Sequence, residues 1–123
     1  EKRFMIIELH ENNIYISILK DIYFRESSPE FTEFGKKVFS RILEYFKVKK
    51  EAIISYNLLD FYQNNIVQAD LERKNNIIGF FRKNGLDCSI KRIKNESFLE
   101  KNSFFEDENQ IDDYLSLQVV LKW

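Results

Sequence analysis

The sequence predicts an α+β fold, an antiparallel sheet of about four strands in the order ββααβ-β with two or three helices on one face. Three observations predict it. Apolar residues alternate through 4–9, 14–19 and 115–123, the period-two pattern of strands. Apolar residues recur at spacings of three and four through 31–45, the stripe of an amphipathic helix. Paired strands stand apart from the helical stretches along the chain, which favours a segregated rather than an alternating architecture.

The first two strands are read at residues 3–9 and 14–20, joined by a tight turn over His10-Glu11-Asn12-Asn13, where Asn suits the left-handed conformation. Both faces of these strands carry large apolar side chains. Either the sheet is covered on both sides or one face docks a partner. Ser27-Ser28-Pro29-Glu30 reads as a helix start, in one of two registers: Ser27 with Glu30 as a capping box, or Ser28 as N-cap before proline. Phe31, Phe34, Val38, Ile42 and Tyr45 then form the stripe of a helix to about Lys47, with Phe34, Val38 and Ile42 facing the sheet. Residues 51–85 read as helical, with Ile54, Leu58 and Phe61 on one face and Val67, Leu71, Ile78 and Phe81 continuing. The short apolar run Ile53–Leu59 suits a strand as well. Asn64-Asn65 either breaks the helix or lies on its wet side, and Gly85 follows the helix end. Leu86, Cys88 and Ile90 alternate as a third strand, and Leu115 to Trp123 as a fourth. Residues 95–113 are acidic and irregular.

At 123 residues the expectation is one α+β domain over 1–123, without a linker or a repeat. A chain of this size removes roughly two-thirds of its surface from water on folding. With 44% hydrophobic and 15% aromatic residues, it does not have a disordered composition. A single cysteine excludes an internal disulfide, and there is no secretory pattern or membrane-length apolar run. A cytoplasmic location is therefore expected. The abundance of Asn, Ile, Lys and Phe suits an AT-rich bacterial or phage gene.

The search for chemistry excludes more than it finds. His10 falls in the turn and Cys88 in a strand, so no nucleophile-base pair is expected. One His and one Cys do not make a structural zinc site, and 107–113 lacks the ligand spacing of a calcium loop. Isolated Gly35, Gly79 and Gly85 make no phosphate loop. Asp60 or Asp70 with Glu72 and Lys74 loosely matches a carboxylate-metal nuclease, but reads more simply as a helix face with an Asp70–Lys74 pair. No catalytic residue, metal or cofactor is expected, and the chain is not expected to be an enzyme.

Charge is more informative. The formal net charge is −1, which argues against a generic nucleic-acid binder. Residues 70–94 nevertheless hold seven basic and three acidic residues, and residues 95–113 seven acidic and one basic. The two segments can simply pair with each other. Alternatively, Phe104, Phe105, Glu106, Asp107, Glu108, Asp112 and Asp113 form a partner-binding surface for a basic protein, with the aromatics as anchors. The expectation that follows is a small immunity- or antitoxin-like protein that blocks the active site or substrate groove of a basic bacterial toxin, such as a nuclease. The alternative is a nucleic-acid-binding accessory protein using Arg73, Lys74, Arg82, Lys83, Lys91, Arg92 and Lys94. A metal-dependent nuclease comes third.

Overall fold

A computed structural model describes residues 2–62 and 67–122. The expectations at Asn64-Asn65 and at Trp123 lie outside the described residues. The fold is α+β, built on one mixed five-stranded sheet in the order β1-β2-β5-β3-β4. The strands are β1 (Met5–His10), β2 (Asn13–Leu19), β3 (Ile53–Phe61), β4 (Cys88–Ile93) and β5 (Tyr114–Leu121). The expected β1–β2 hairpin forms, pairing Met5 with Ile18 through His10 with Asn13. Its left-handed residue is Glu11, at φ 54°, rather than an Asn. β5 lies antiparallel between β2 and β3, so the C-terminal strand joins the same sheet as expected.

The sheet is not wholly antiparallel, because β4 runs parallel to β3. Parallel neighbours need a crossover, and α3 (Gln68–Lys83) supplies it. Of the two readings of 53–59 the strand holds, and the helical one is corrected: β3 lies between β5 and β4 and is buried on both faces toward its carboxyl end. A strand buried on both sides reads as a continuous apolar run, so Leu58-Leu59 erased the alternation that would have marked it. α3 ends as expected. Gly85 takes φ 73°, its N–H donates to the Arg82 carbonyl and that of Leu86 to Phe81, the two bonds of a Schellman motif.

α2 spans Glu33–Val48, and its start differs from the expectation. Ser27 adopts φ 51° in a tight turn, and the Arg25 N–H donates to the Glu30 carbonyl. Phe24 and Phe31 bridge across that turn. The cap is Thr32, whose hydroxyl accepts the Gly35 N–H at 3.0 Å. The helix begins later, and the buried stripe is the neighbouring one: Gly35, Phe39, Leu43 and Phe46 are buried, whereas Phe34 is 43% exposed. Val38 and Ile42 sit half-buried at the flank and Tyr45 faces out. Phe34→Ala is therefore expected to cost about 1 kcal/mol, well short of the 3–5 kcal/mol of a buried Phe. Urea denaturation checks this, and a loss near 4 kcal/mol would return Phe34 to the core.

Helices cover both faces of the sheet, not one. On one face α2 and α3 bring Phe39, Leu43, Phe46, Ile77 and Phe81 onto Ile16, Leu58, Leu117 and Val119. On the other, residues 95–113 fold into α4 (Asn95–Lys101) and α5 (Glu108–Ile111). Phe98, Phe105 and Ile111 pack there on Tyr15, Leu59, Phe61 and Tyr114. The acidic stretch is thus an ordered cover whose aromatics belong to the core. Asp107 caps α5 by accepting the N–H groups of Asn109 and Gln110. A short helix, α1 (Lys20–Tyr23), follows β2.

Candidate functional site

A cleft of about 600 Å³ opens at the carboxyl end of β3. β3 contributes Leu59, Asp60 and Phe61, followed by Tyr62; the first turns of α3 bring Asp70, Leu71 and Lys74; Lys20 comes from α1, Arg92 from β4 and Tyr114 from β5. The sheet order makes this possible, since β3 lies between β5 and β4 and α3 crosses over it. The walls are largely apolar, while the lining charges balance: Lys20, Lys74 and Arg92 against Asp60, Asp70 and Asp112.

Two ion-pair groups organise the charges. Asp70, in the first turn of α3 where the helix dipole favours an anion, accepts from Lys20 at 2.7 Å and from Arg73 at 3.0 Å. Asp60 accepts from Lys74 at 3.0 Å, and the Arg92 Nε lies 3.5 Å from its other oxygen. The Arg92 guanidinium also lies 4.2 Å from the centre of the Tyr62 ring. Arg73 is a structural tie. Its remaining nitrogens donate to the Ser28 carbonyl at 2.7 Å and the Arg25 carbonyl at 3.1 Å, and its guanidinium stacks over Phe24. The expected Asp70–Lys74 helix pair does not form, since each residue has a partner from another element. The arrangement can hold a ligand with an apolar body and charged ends.

The residues singled out in the sequence disperse. Phe105 is buried and Phe104 packs against it, with Arg3 over the Phe104 ring. Glu106, Asp107, Glu108 and Asp112 are exposed, and Asp113 is bonded to Lys2 at 3.1 Å, which raises the pKa of that ammonium. Among the described residues, no ion pair joins 70–94 to 95–113. The basic residues of 70–94 are divided too: Arg73 is buried, Lys74 faces Asp60, Lys83 lies over Phe80 and Lys91 reaches Gln118. Glu72 accepts from Gln68 rather than joining Asp60 and Asp70. Among the described residues, no group of three His, Cys, Asp or Glu is placed to hold a metal ion. His10 flanks the hairpin turn 3.6 Å from Glu11, and burial pushes the Cys88 thiol up to about 12. Sequence reasoning named Asp60, Asp70 and Lys74 but for other chemistry, and it missed Lys20, Tyr62 and Tyr114.

No protein-family model matches the chain, and no curated protein matches it. Solved structures do. A protein from Desulfovibrio vulgaris described as MotB-like superposes with a TM-score of 0.65 at 14% identity, over 97% of this chain and 80% of that one. The periplasmic domain of Helicobacter pylori MotB gives 0.63 at 9% identity, over 97% and 83%. The cell wall anchor of the type VI secretion system of Pseudomonas aeruginosa gives 0.61 at 8% identity, over 97% and 89%. At these identities the likeness is one of fold.

It corrects the functional expectations. The immunity- or antitoxin-like inhibitor, its basic toxin partner and the cytoplasmic location give way to a fold shared with periplasmic domains and a cell wall anchor. Balanced charge and a lone cysteine do not separate a cytoplasmic inhibitor from a disulfide-free periplasmic domain. Among the described residues no helix is long and apolar enough to cross a membrane.

Proposed function

We propose that this chain is a cell-wall-binding domain that works in the periplasm and holds peptidoglycan through the cleft at the end of β3. The observation that carries the reading is the cleft itself, an apolar-walled hollow with ordered ion pairs. It lies in a fold shared with a protein named as a cell wall anchor. Peptidoglycan offers matching chemistry: short peptides with aliphatic stems and charged groups, on a polymer that multiplies weak contacts.

The test is co-sedimentation of the purified chain with peptidoglycan sacculi. The wild-type chain is expected in the pellet. A variant carrying both Asp60→Ala and Lys74→Ala is expected to remain in the supernatant. Removing the two partners together avoids leaving one charge alone in a partly buried site. Wild-type protein that stays soluble beside sacculi sinks the reading.

A further inference from the structure

We propose that the open edge of β1 is a self-association surface, to which a second copy of this chain adds its own β1, antiparallel, across a two-fold axis through Ile7. The inference is independent of the wall-binding reading, since no residue of β1 lines the cleft.

The two edges of the sheet differ in kind. β4 is a guarded edge: Lys91 and Arg92 lie within it and Asp87 and Lys94 flank it, charges that oppose pairing with another strand. β1 has no such guard. Met5–His10 holds no Lys, Arg or Pro, and its register with β2 runs without a bulge. Its one carboxylate, Glu8, stands opposite Tyr15 on the face that α4 covers, where it accepts the Ser103 hydroxyl at 3.1 Å.

The other side of β1 is apolar. Met5, Ile7 and Leu9 stand opposite Ile18, Ile16 and Ile14, on the face that α2 and α3 cover. That cover stops short of the edge: Ile7 is 63% exposed and Leu9 61%. The Phe4 ring, also exposed, meets Phe34 of α2 at 5.6 Å and extends the strip toward that helix. The backbone is in phase with the strip. The Leu19 N–H donates to the Phe4 carbonyl at 3.1 Å, one step beyond the Met5–Ile18 pair. In an antiparallel ladder, residues bonded to the neighbour alternate with residues whose polar groups point away from it. Phe4, Ile6 and Glu8 therefore bond to β2, while Met5, Ile7 and Leu9 present their N–H and C=O groups to the open edge.

The order of residues along this edge selects a second copy as the partner. A two-fold axis through Ile7 sets Ile7 opposite itself and Met5 opposite Leu9, so outward donors meet outward acceptors and the two apolar strips join on one face. The same axis brings Arg3 opposite Glu11. Moving it to Glu8 sets that carboxylate beside its own copy, and moving it to Ile6 sets Arg3 against Leu9. Of the three registers, the one through Ile7 is the one that joins opposite charges. The pairing also closes on itself. It uses both β1 edges, and the outer edges of the doubled sheet are two guarded β4 strands, so association stops at the dimer. One strand pair with its flanking side chains belongs at the small end of specific interfaces, which gives an expected dissociation constant on the order of 10 µM.

The experiment is sedimentation velocity of the purified chain over a concentration series that brackets this constant. The wild type is expected to pass from monomer to dimer. Ile7→Lys is expected to weaken association at least about a hundredfold, because it sets like charges opposite each other at the axis. Ile7 is mostly exposed, so the variant should keep the wild-type urea midpoint. Ile90→Lys, on the exposed part of the β4 edge, should dimerise like the wild type. Cross-linking reads the register without relying on the lysine variant. Residues paired at the axis lie about 5.5 Å apart at Cα, within reach of a disulfide. Ile7→Cys in a Cys88→Ser background is therefore expected to give a disulfide-linked dimer under mild oxidation, and Ile90→Cys in the same background is not. A wild-type chain that stays monomeric at concentrations on the order of 1 mM overturns the inference. So does a dimer that persists in Ile7→Lys, or an Ile7→Cys chain that fails to cross-link where the wild type dimerises, since either moves the contact to another surface.

Discussion

Replacing Gly35 with alanine is expected to cost about 3 kcal/mol of stability, the upper end of the usual penalty for forcing a methyl group into a packed interior. Gly35 lies in the first turn of α2, where alanine would ordinarily help by about 1 kcal/mol. The sign reverses because α1 passes too close. A Cβ on Gly35 would overlap the Tyr23 carbonyl oxygen and sit 2.8 Å from the Tyr23 carbonyl carbon and Cα. All three atoms are backbone, so no side chain can swing aside. The same carbonyl accepts the Thr32 N–H at 2.9 Å, and Thr32 also donates its hydroxyl to Ile22. Relief would require α1 and α2 to part, breaking both bonds from Thr32 to α1. Lys20 begins α1 and holds Asp70, so the variant is also expected to bind sacculi less well. Equilibrium urea denaturation decides the matter. A stability equal to or above wild type would mean that α1 and α2 lie farther apart.

Phe98→Ala is expected to cost about 3–5 kcal/mol, the range for removing a fully buried Phe. Phe98 is 0% exposed, and its ring meets Tyr15 at 5.9 Å, Phe61 at 5.1 Å and Phe105 at 5.4 Å. It is the point where α4 grips the second face of the sheet. A solvated acidic segment would make a different demand, since surface substitutions usually change stability by less than about 0.5 kcal/mol. Chemical denaturation separates the two descriptions. A loss below about 1 kcal/mol would detach α4 from the core.

The legible parts of this fold were those in which one face of an element differs chemically from the other over several residues. The β1–β2 hairpin and β5 alternate cleanly, and Gly85 stands where a left-handed residue closes α3. β3 was ambiguous because Leu58 and Leu59 stand side by side, which removes the contrast a periodic reading needs. α2 was visible, but two apolar stripes lie side by side on it, and the one through Phe34, Val38 and Ile42 was read as the core face in place of the one through Gly35, Phe39, Leu43 and Phe46. α4 and α5 are too short to repeat a pattern, at seven and four residues. Of the cleft, Asp60, Asp70 and Lys74 were noticed because they lie near one another in sequence. Their true partners, Lys20 and Arg92, reach them only through the sheet order, and no local spacing encodes that.

The central place of β5 has a consequence in time. As the chain is made, the β1–β2 hairpin and the β3–α3–β4 unit both precede Tyr114–Leu121, the strand that lies between them. Until that strand arrives, β2 and β3 each present an open edge, and unpaired edges are where chains join wrong neighbours. The sheet is therefore closed from its middle by its last strand. Pairings this distant in sequence form slowly, so the interval before closure is the period when the chain has most need of a chaperone or of dilution.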